Sequence, residues 1–482
     1  MKEIVHRAVE KARAAGASYA DARAIASRRQ EINTKNGAPE ALSDSTDRGL
    51  GIRVIADGAW GFAATFSVEA ADVAQTAELA VRIARASAAL GKGELQLAPQ
   101  DPIQAEWASD YKTDPFSVPL DTKLALLLDA DRLMREVTGV RVAAGELTFV
   151  REEKWFASSD GAEIEQSRIQ SGGGIQAMAE GDGEVQRRSY PGSFGGDNAN
   201  LGWEFVEGMD LPGSARRIGE EAVALLTADQ CPSKVTTLIL EGSQLALQVH
   251  ESCGHPTELD RVFGTERSFA GTSFLTTDKL ETLRYGSDLV NLYADATIPG
   301  AMGSFGYDDE GVPAQRVDLV KGGIFRGYLS SRETAARLGI TSGGAMRASG
   351  WNRIPIIRMT NINLAPGDST LEKMIEGTDD GIYAATNKSW SIDDLRLNFQ
   401  FATEIGWEIK NGQLGRMLRN VTYQGVTPEF WGSCDAIAGK DEWHPWGILN
   451  CGKGEPMQTM WVGHGVAPAR FRSVRVGVGG QL

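Results

Sequence analysis

His250, Glu251 and His255 stand together in the stretch LQVHESCGHPTELD. Two imidazoles near each other can hold a divalent ion, and a carboxylate beside the first can take a proton from an attacking water, the division of labour in metal-dependent hydrolysis. The chain has only five histidines in 482 residues, so two of them within six positions and next to a glutamate make a cluster worth explaining. The alternative is two ordinary polar histidines at a helix end.

The spacing constrains the backbone. In the common zinc-hydrolase motif the histidines are four apart and share one helix face; here they are five apart. At about 100° per residue, five steps put the two side chains about 140° apart on a regular α-helix, too far round for one tetrahedral ion. The turn must therefore be wider or broken. Gly254 is a poor helix former and Pro256 biases His255 away from helical dihedrals. A π-type turn would bring the rings back together.

A third ligand is needed. His6, His444, His464, Cys231, Cys253, Cys434 and Cys451 are the remaining histidines and cysteines. Cys253 is close in sequence, but three ligands in one short turn would strain it. Cys451 lies in the glycine-rich segment NCGKGEPMQTMWVGHG, where the backbone can approach an ion closely, and a thiolate is a good zinc ligand. His464, thirteen residues further on, is the next choice, and it or the backbone N–H of Gly463 or Gly465 could contact substrate or the developing oxyanion. A lone cysteine is otherwise a small buried apolar residue.

The elements around these residues can be read from periodicity. Helical spacing covers 2–15, 69–90, 120–138 (Leu124, Leu127, Leu128 and Met134 inward) and 213–227. Strands are expected at 19–33, 49–66, 141–157 and 162–180, with a proline-bearing connection over 97–119. Helix, strands, helix thus occurs twice, which predicts an N-terminal α+β domain over 1–230 made of duplicated halves, 1–96 and 119–230. A boundary is expected near Asp229 to Lys234. Beyond it, in 231–482, come the strand 235–242, the metal-motif helix over about 243–254, and short β runs at 290–297, 314–331 and 404–418. The fold class is α+β, with a mostly-β second half. Glycine-rich segments at 171–174 and 342–344 read as ordinary loops, or as the lining of a substrate passage.

Several of these stretches resemble one family. HESCGHPTELD is similar to the HExxxH motif of TldD/PmbA metallopeptidases, in their TldD-like, metal-bearing branch, with Gly254, Glu258 and Asp260 matching the positions around the histidines. GLGIRVIADGAWGFAAT (49–65), GSFGYDDEGVPAQ (303–315), RMTNINLAPG (358–367) and CGKGEPMQTMWVGHG (451–465) resemble further family segments, and the likeness runs from about residue 18 to 476. Ser252-Cys253 and Pro256-Thr257 depart from the residues usual at those positions. The resemblance implies a zinc peptidase with one Zn2+ per chain, His250, His255 and Cys451 as ligands and Glu251 as general base. It also implies a curved, barrel-like C-terminal sheet. A dimer enclosing the active site is implied too, either a homodimer or a heterodimer with a motif-lacking TldE/PmbA-like sister subunit. Short or unfolded peptides, held extended by strand addition, are the expected substrate. A zinc amidase acting on a small modified peptide, or a non-catalytic subunit with a structural metal, are the rival readings.

Composition sets outer bounds. With 42% hydrophobic and 23% charged residues the chain reads as globular, and a net charge of −15 argues against nucleic acid as a partner. No apolar run is long enough for a membrane span. MKEIVHRAVEKARAAG reads as an amphipathic helix rather than an export signal, and four scattered cysteines do not form a disulfide framework, so the cytoplasm is the expected compartment.

Overall fold

The computed structural model describes residues 1–91, 95–181 and 183–478. In chain order its first half contains α1 (Lys2–Ala14), β1 (Tyr19–Lys35), β2 (Ala38–Ala56), β3 (Ala59–Thr65), α2 (Ala70–Ala88), β4 (Gln104–Ala108), α3 (Leu120–Arg135), β5 (Val140–Ser158), β6 (Glu163–Gly181), β7 (Glu184–Tyr190), β8 (Asp197–Ala199), α4 (Trp203–Gly208) and α5 (Leu211–Thr227). The strands form one sheet ordered β3-β2-β1-β5-β6-β4, with β7 and β8 also pairing with β6. Alanine stripes let α1 and α2 lie close on one end of it: Ala8, Ala12, Ala77 and Ala80 pack with Ala22, Ile52 and Val54. At the other end Leu127 and Met134 of α3 and Ile218 and Ala222 of α5 pack with Leu147 and Ala177.

In the second half, β9 (Lys234–Leu240), α6 (Gly242–Val249), β10 (Ile362–Leu364), β11 (Asp380–Ile392), β12 (Asn398–Lys410), β13 (Thr422–Val426), β14 (His444–Lys453), β15 (Gln458–Val466) and β16 (Ala469–Gly477) position the site. Five strands close into a barrel in the order β11-β9-β16-β13-β12, with β12 pairing back onto β11. The β9–β11 pairing is parallel and the others are antiparallel. Alternation along these strands sends Leu238, Leu240, Phe401, Tyr423 and Phe471 into one apolar cluster, and Leu245 and Val249 of α6 join it. The chain is thus α+β with a barrel-containing C-terminal region.

Several elements differ from the periodicity. Residues 38–48 extend β2 although their side chains are exposed, because they pair with the far half of β1 rather than cover a core. The connection expected over 97–119 contains β4, a parallel edge strand on β6. In α3, Leu127 and Met134 are buried as expected, but Lys123 and Asp131 are buried too, while Leu124 and Leu128 are half-buried. Gly172–Gly174 are not a loop; they lie inside β6, paired with β5 and, in part, β8. The run at 314–331 forms only a short hairpin, Arg316–Lys321 with Ile324–Phe325.

Candidate metal centre

The wide turn is present. Glu241 accepts from the Ser243 N–H at 2.9 Å and starts α6, whose residues Leu245 to Val249 are all buried. The α-helix ends at Val249, and His250–Gly254 form a π-turn in which the His255 N–H donates to the His250 carbonyl. One extra residue per turn turns the five-residue spacing into a shared face. The His250 and His255 ring centroids are 4.9 Å apart. Gly254 lets the turn pack closely, since a Cβ there would lie 2.2 Å from Met359 Sδ and that side chain would have to move. Beyond the turn, Thr257 Oγ1 donates to the carbonyls of Cys253 and Gly254 at 2.9 Å, and Tyr285 OH donates to the Ser252 carbonyl at 2.7 Å.

Cys451 arrives on β14. The β14–β15 hairpin pairs Trp446 with His464 and Ile448 with Val462, then shifts register before pairing Cys451 with Met460. Plain alternation would put Cys451 on the face opposite Trp446 and Ile448; the extra residue of the bulge returns it to their face. Its Sγ then lies 3.7 Å from His255 Nε2. The donor atoms of His250, His255 and Cys451 all fall within 4.8 Å of one another.

A second layer fixes which ring nitrogens are free. His464 Nδ1 faces the Ile362 carbonyl of β10 at 3.2 Å; a carbonyl only accepts, so that nitrogen carries the hydrogen. Its Nε2 must then accept from His250 Nδ1–H, 2.8 Å away, which leaves His250 Nε2 with a bare lone pair. His255 Nδ1–H donates to Glu258 Oε2 at 2.9 Å, leaving His255 Nε2 toward Cys451. Glu258 is held in turn by buried Lys453, 3.4 Å away, which also donates to Asp260 Oδ1 at 2.7 Å. Burial lowers the pKa of His250, and lowers His255 and His464 well below the ordinary imidazole value, so all three rings are neutral near pH 7. Burial alone would raise the Cys451 thiol, but Arg358 and the His255 contact outweigh it and bring it below its ordinary value.

This donor set fits a zinc ion. Tetrahedral zinc with nitrogen and sulfur ligands needs donor separations of about 3.3–3.6 Å. The Sγ–Nε2 distance of 3.7 Å is already close to that. Neutral imidazoles oriented through hydrogen bonds on their other nitrogen are the usual form of such ligands.

The three residues face a cleft of about 290 Å3 that Glu251 also lines. Glu251 Oε2 is buried without a hydrogen-bond partner; its nearest cation is Arg396 Nη1 at 3.5 Å. The opposite wall comes from the first half of the chain, through Gly192–Phe194 and Gly196. At the mouth, Phe194 (48% exposed) meets Trp390 (40% exposed) edge-to-face at 5.4 Å. Arg396, Phe194 and Trp390 carried no signal in the sequence: each is a lone residue in a loop or at a strand end, brought to the cleft by contacts distant in the chain.

The other candidates lie elsewhere. Cys253 is fully buried in the apolar cluster on the far side of the turn, where burial pushes its thiol well up. Cys231 and Cys434 belong to the same cluster. His6 meets Glu163 at 2.9 Å on the N-terminal sheet, and His444 contacts Asp197 at 2.6 Å. The expected substrate or oxyanion contact by His464 does not fit. The residue is 0% exposed, sits behind His250 and outside the cleft wall, and uses both ring nitrogens.

Comparison with known proteins bears on the whole chain. Three PmbA/TldA metallopeptidase domains match it: domain 1 over residues 20–84, the central domain over 113–228 and the C-terminal domain over 233–477. The chain belongs to the PmbA/TldD family of metallopeptidases. It is 31% identical to the metalloprotease slr0863 of Synechocystis sp. over 93% of this chain and 92% of that one. To the metalloprotease TldD homolog of Haemophilus influenzae it is 28% identical, over 95% and 92% of the two chains. The crystal structure of TldE from Thermococcus kodakarensis shares the fold, with a TM-score of 0.76 at 17% identity over 98% of this chain and 100% of that one. This PmbA/TldD member is a metallopeptidase. Among its described residues no helix is long and apolar enough to cross a membrane.

Proposed function

We propose that this metallopeptidase is zinc-dependent, with one ion held by His250 Nε2, His255 Nε2 and Cys451 Sγ, and with Glu251 as general base. The observation that carries the reading is the convergence of two bare imidazole nitrogens, a lowered thiol and an unpartnered carboxylate oxygen on one cleft. Two imidazoles and a thiolate favour zinc over harder ions. When bound, such an ion polarises the scissile carbonyl and makes water acidic enough to ionise near neutral pH. Glu251 takes the proton of the attacking water and passes it to the leaving amine. Glu258 and His464 hold the two imidazoles in the orientation that exposes Nε2. Trp446, Phe194 and Trp390 cover the cleft with apolar surface and limit water around the reacting bond.

The substrate is a short or unfolded peptide. A cleft of about 290 Å3 admits only a few residues of an extended chain. The β14–β15 hairpin is a two-stranded sheet, so β14 has a second edge, and Asn450 to Gly452 on it line the cleft. An extended peptide adds there as a third strand. The fold shared with TldE supports a working dimer, with itself or with a TldE/PmbA-like sister, that encloses this open side. Four buried, unpaired cysteines fit the reducing cytoplasm.

The test is metal analysis and peptide cleavage with wild type, Glu251→Gln and Cys451→Ala. One zinc per chain in wild type and Glu251→Gln, none in Cys451→Ala, and cleavage by wild type alone are expected. Equal occupancy in Cys451→Ala would remove the sulfur ligand. Cleavage by Glu251→Gln at the wild-type rate would remove the base assignment, and absence of cleavage by the metal-loaded wild type would leave a subunit with a structural metal.

A further inference from the structure

Among the described residues, Arg396 is the only arginine or lysine lining the metal cleft. It is poorly matched there. Its Nη1 lies 3.5 Å from Glu251 Oε2, an attraction between charges without a hydrogen bond, and its Nε is buried with no partner. The side chain is 18% exposed, so the guanidinium is partly withdrawn from water without a hydrogen-bonded anion to complete it.

Its backbone is equally unusual. Arg396 has φ 64, a left-handed conformation rare outside glycine, asparagine and aspartate. The loop between β11 and β12 enforces it. The Arg396 N–H donates to the Asp393 carbonyl at 3.0 Å, the Leu397 N–H donates to Asp393 Oδ1 at 2.8 Å, and Thr427 Oγ1 donates to the Arg396 carbonyl at 3.2 Å. Phe274 N–H ties down the neighbouring Leu395 carbonyl at 2.9 Å. Strain held in place from several sides marks a position where side-chain direction matters.

We propose that Arg396 is the catalytic group that binds the oxyanion formed on the scissile carbonyl. The inference rests on the peptidase reading above and fills the role that His464 cannot. The water oxygen bonds to the carbonyl carbon while its proton goes to Glu251, and the carbonyl π pair moves onto oxygen. That oxygen meets the guanidinium, whose planar fork suits an oxygen anion. Collapse restores the carbonyl, breaks the C–N bond and sends the proton from Glu251 to the amine. Before substrate binds, Glu251 keeps the guanidinium aimed into the cleft at a distance that leaves its donors available. The position favours an oxyanion over the carboxylate end of a peptide. Arg396 stands beside the base that activates water, and a terminal carboxylate would lie at least one residue, about 3.3–3.6 Å, further along.

The test uses the metal-loaded enzyme with Arg396→Gln and Arg396→Lys, and one peptide as both its free acid and its C-terminal amide. Arg396→Gln should lower kcat by about 10²–10³ on both peptides, as loss of an oxyanion donor does. KM should stay within about threefold and metal content should be unchanged. Arg396→Lys should recover part of the loss. A phosphinic pseudopeptide, a tetrahedral anion, should lose affinity for Arg396→Gln by the same factor while a product peptide does not. This binding measurement, made on Arg396→Lys, still decides if the glutamine variant misfolds. A rise in KM confined to the free-acid peptide would instead assign Arg396 to the substrate terminus. Unchanged kcat, or a loss explained wholly by lost metal, would overturn the inference. Glu251→Gln is run in parallel. If it is inactive while Arg396→Gln turns over normally, only this inference fails; if Glu251→Gln also cleaves, the assignment of Glu251 as base fails first, and if the metal-loaded wild type does not cleave, the peptidase reading fails.

Discussion

Two buried clusters of charge, Asp308–Glu310 and the cleft around Glu251, differ in how completely the fold serves them. All six carboxylate oxygens of the first have protein partners. Asp308 accepts from the N–H groups of Glu310, Val312 and Met346 at 2.8, 2.9 and 3.0 Å. Asp309 accepts from Lys154 and from the Ala348 N–H, each at 2.7 Å, and Glu310 from Arg53 at 3.2 Å and the Arg332 N–H at 2.7 Å. Lys154 and Arg53 come from β5 and β2, so this cluster fastens the N-terminal sheet to the second half. In the cleft, by contrast, Glu251 Oε2, Arg396 Nε and Trp446 Nε1 have no partner, and neither has Glu258 Oε1 directly behind His255. Buried polar atoms are nearly always paired, so a concentration of unpaired ones beside three convergent donors marks where the fold leaves room for something else. The first cluster is a lock and the second is a site.

That contrast can be broken by experiment. Glu251→Gln has the largest expected effect on function: turnover falls by about 10²–10⁴, the range for a general base, while the unfolding midpoint stays level or rises. A stability loss as large as that of a lock variant would erase the distinction. Asp309→Ala should do the reverse. It strands Lys154 and Arg23 without their carboxylate and should cost about 3–5 kcal/mol in urea unfolding, with zinc per chain unchanged.

Acid sharpens the same point. Burial would raise Asp309, but Lys154 and Arg23 overcome it and hold it at about 2. A carboxyl depressed in the folded state stabilises above its unfolded pKa, and that contribution is lost as pH falls through the folded value. The stability difference between wild type and Asp309→Asn should therefore be flat above about pH 4 and shrink by ~2 kcal/mol toward pH 2, measured by denaturant titrations at each pH. The smallest effect belongs to the layer behind the metal donors. Glu258→Gln still accepts from His255 Nδ1–H but loses its charge opposite Lys453, and should weaken zinc about 10–100-fold in chelator competition. No change there would place Glu258 with the lock rather than the site.

Much of this is legible in the sequence. The ideal spacing of HExxH is absent, and that absence, with Gly254, is enough to require a widened turn; Pro256 does not act as expected, because His255 keeps helical dihedrals of φ −60 and ψ −43. Long amphipathic stripes gave α1, α2 and α5 within a few residues. What failed was whatever lacked an apolar stripe. The exposed start of β2 and the edge strand β4 are held by backbone pairing, which leaves little trace in side-chain pattern. The role offered to His464 failed for a different reason. Its type and sequence position suit a cleft residue, and only the packing of β15 against β10 and the π-turn puts it behind His250.

The sequence by itself determined the paired histidines, the glutamate beside the first and the widened turn between them, because residue identity and local spacing act over a few positions along one segment. The tertiary structure alone decided that Cys451, already favoured in the sequence, comes within reach of the histidines, which way it points and what else faces the cleft. Cys451 lies about two hundred residues from His250, so barrel closure must bring it there, and a one-residue bulge sets its face against the ordinary alternation of a strand. Arg396 and Phe194 reach the same space from a strained loop and from the other half of the chain. Such juxtapositions are set by how sheets close and pack, and no local pattern encodes them.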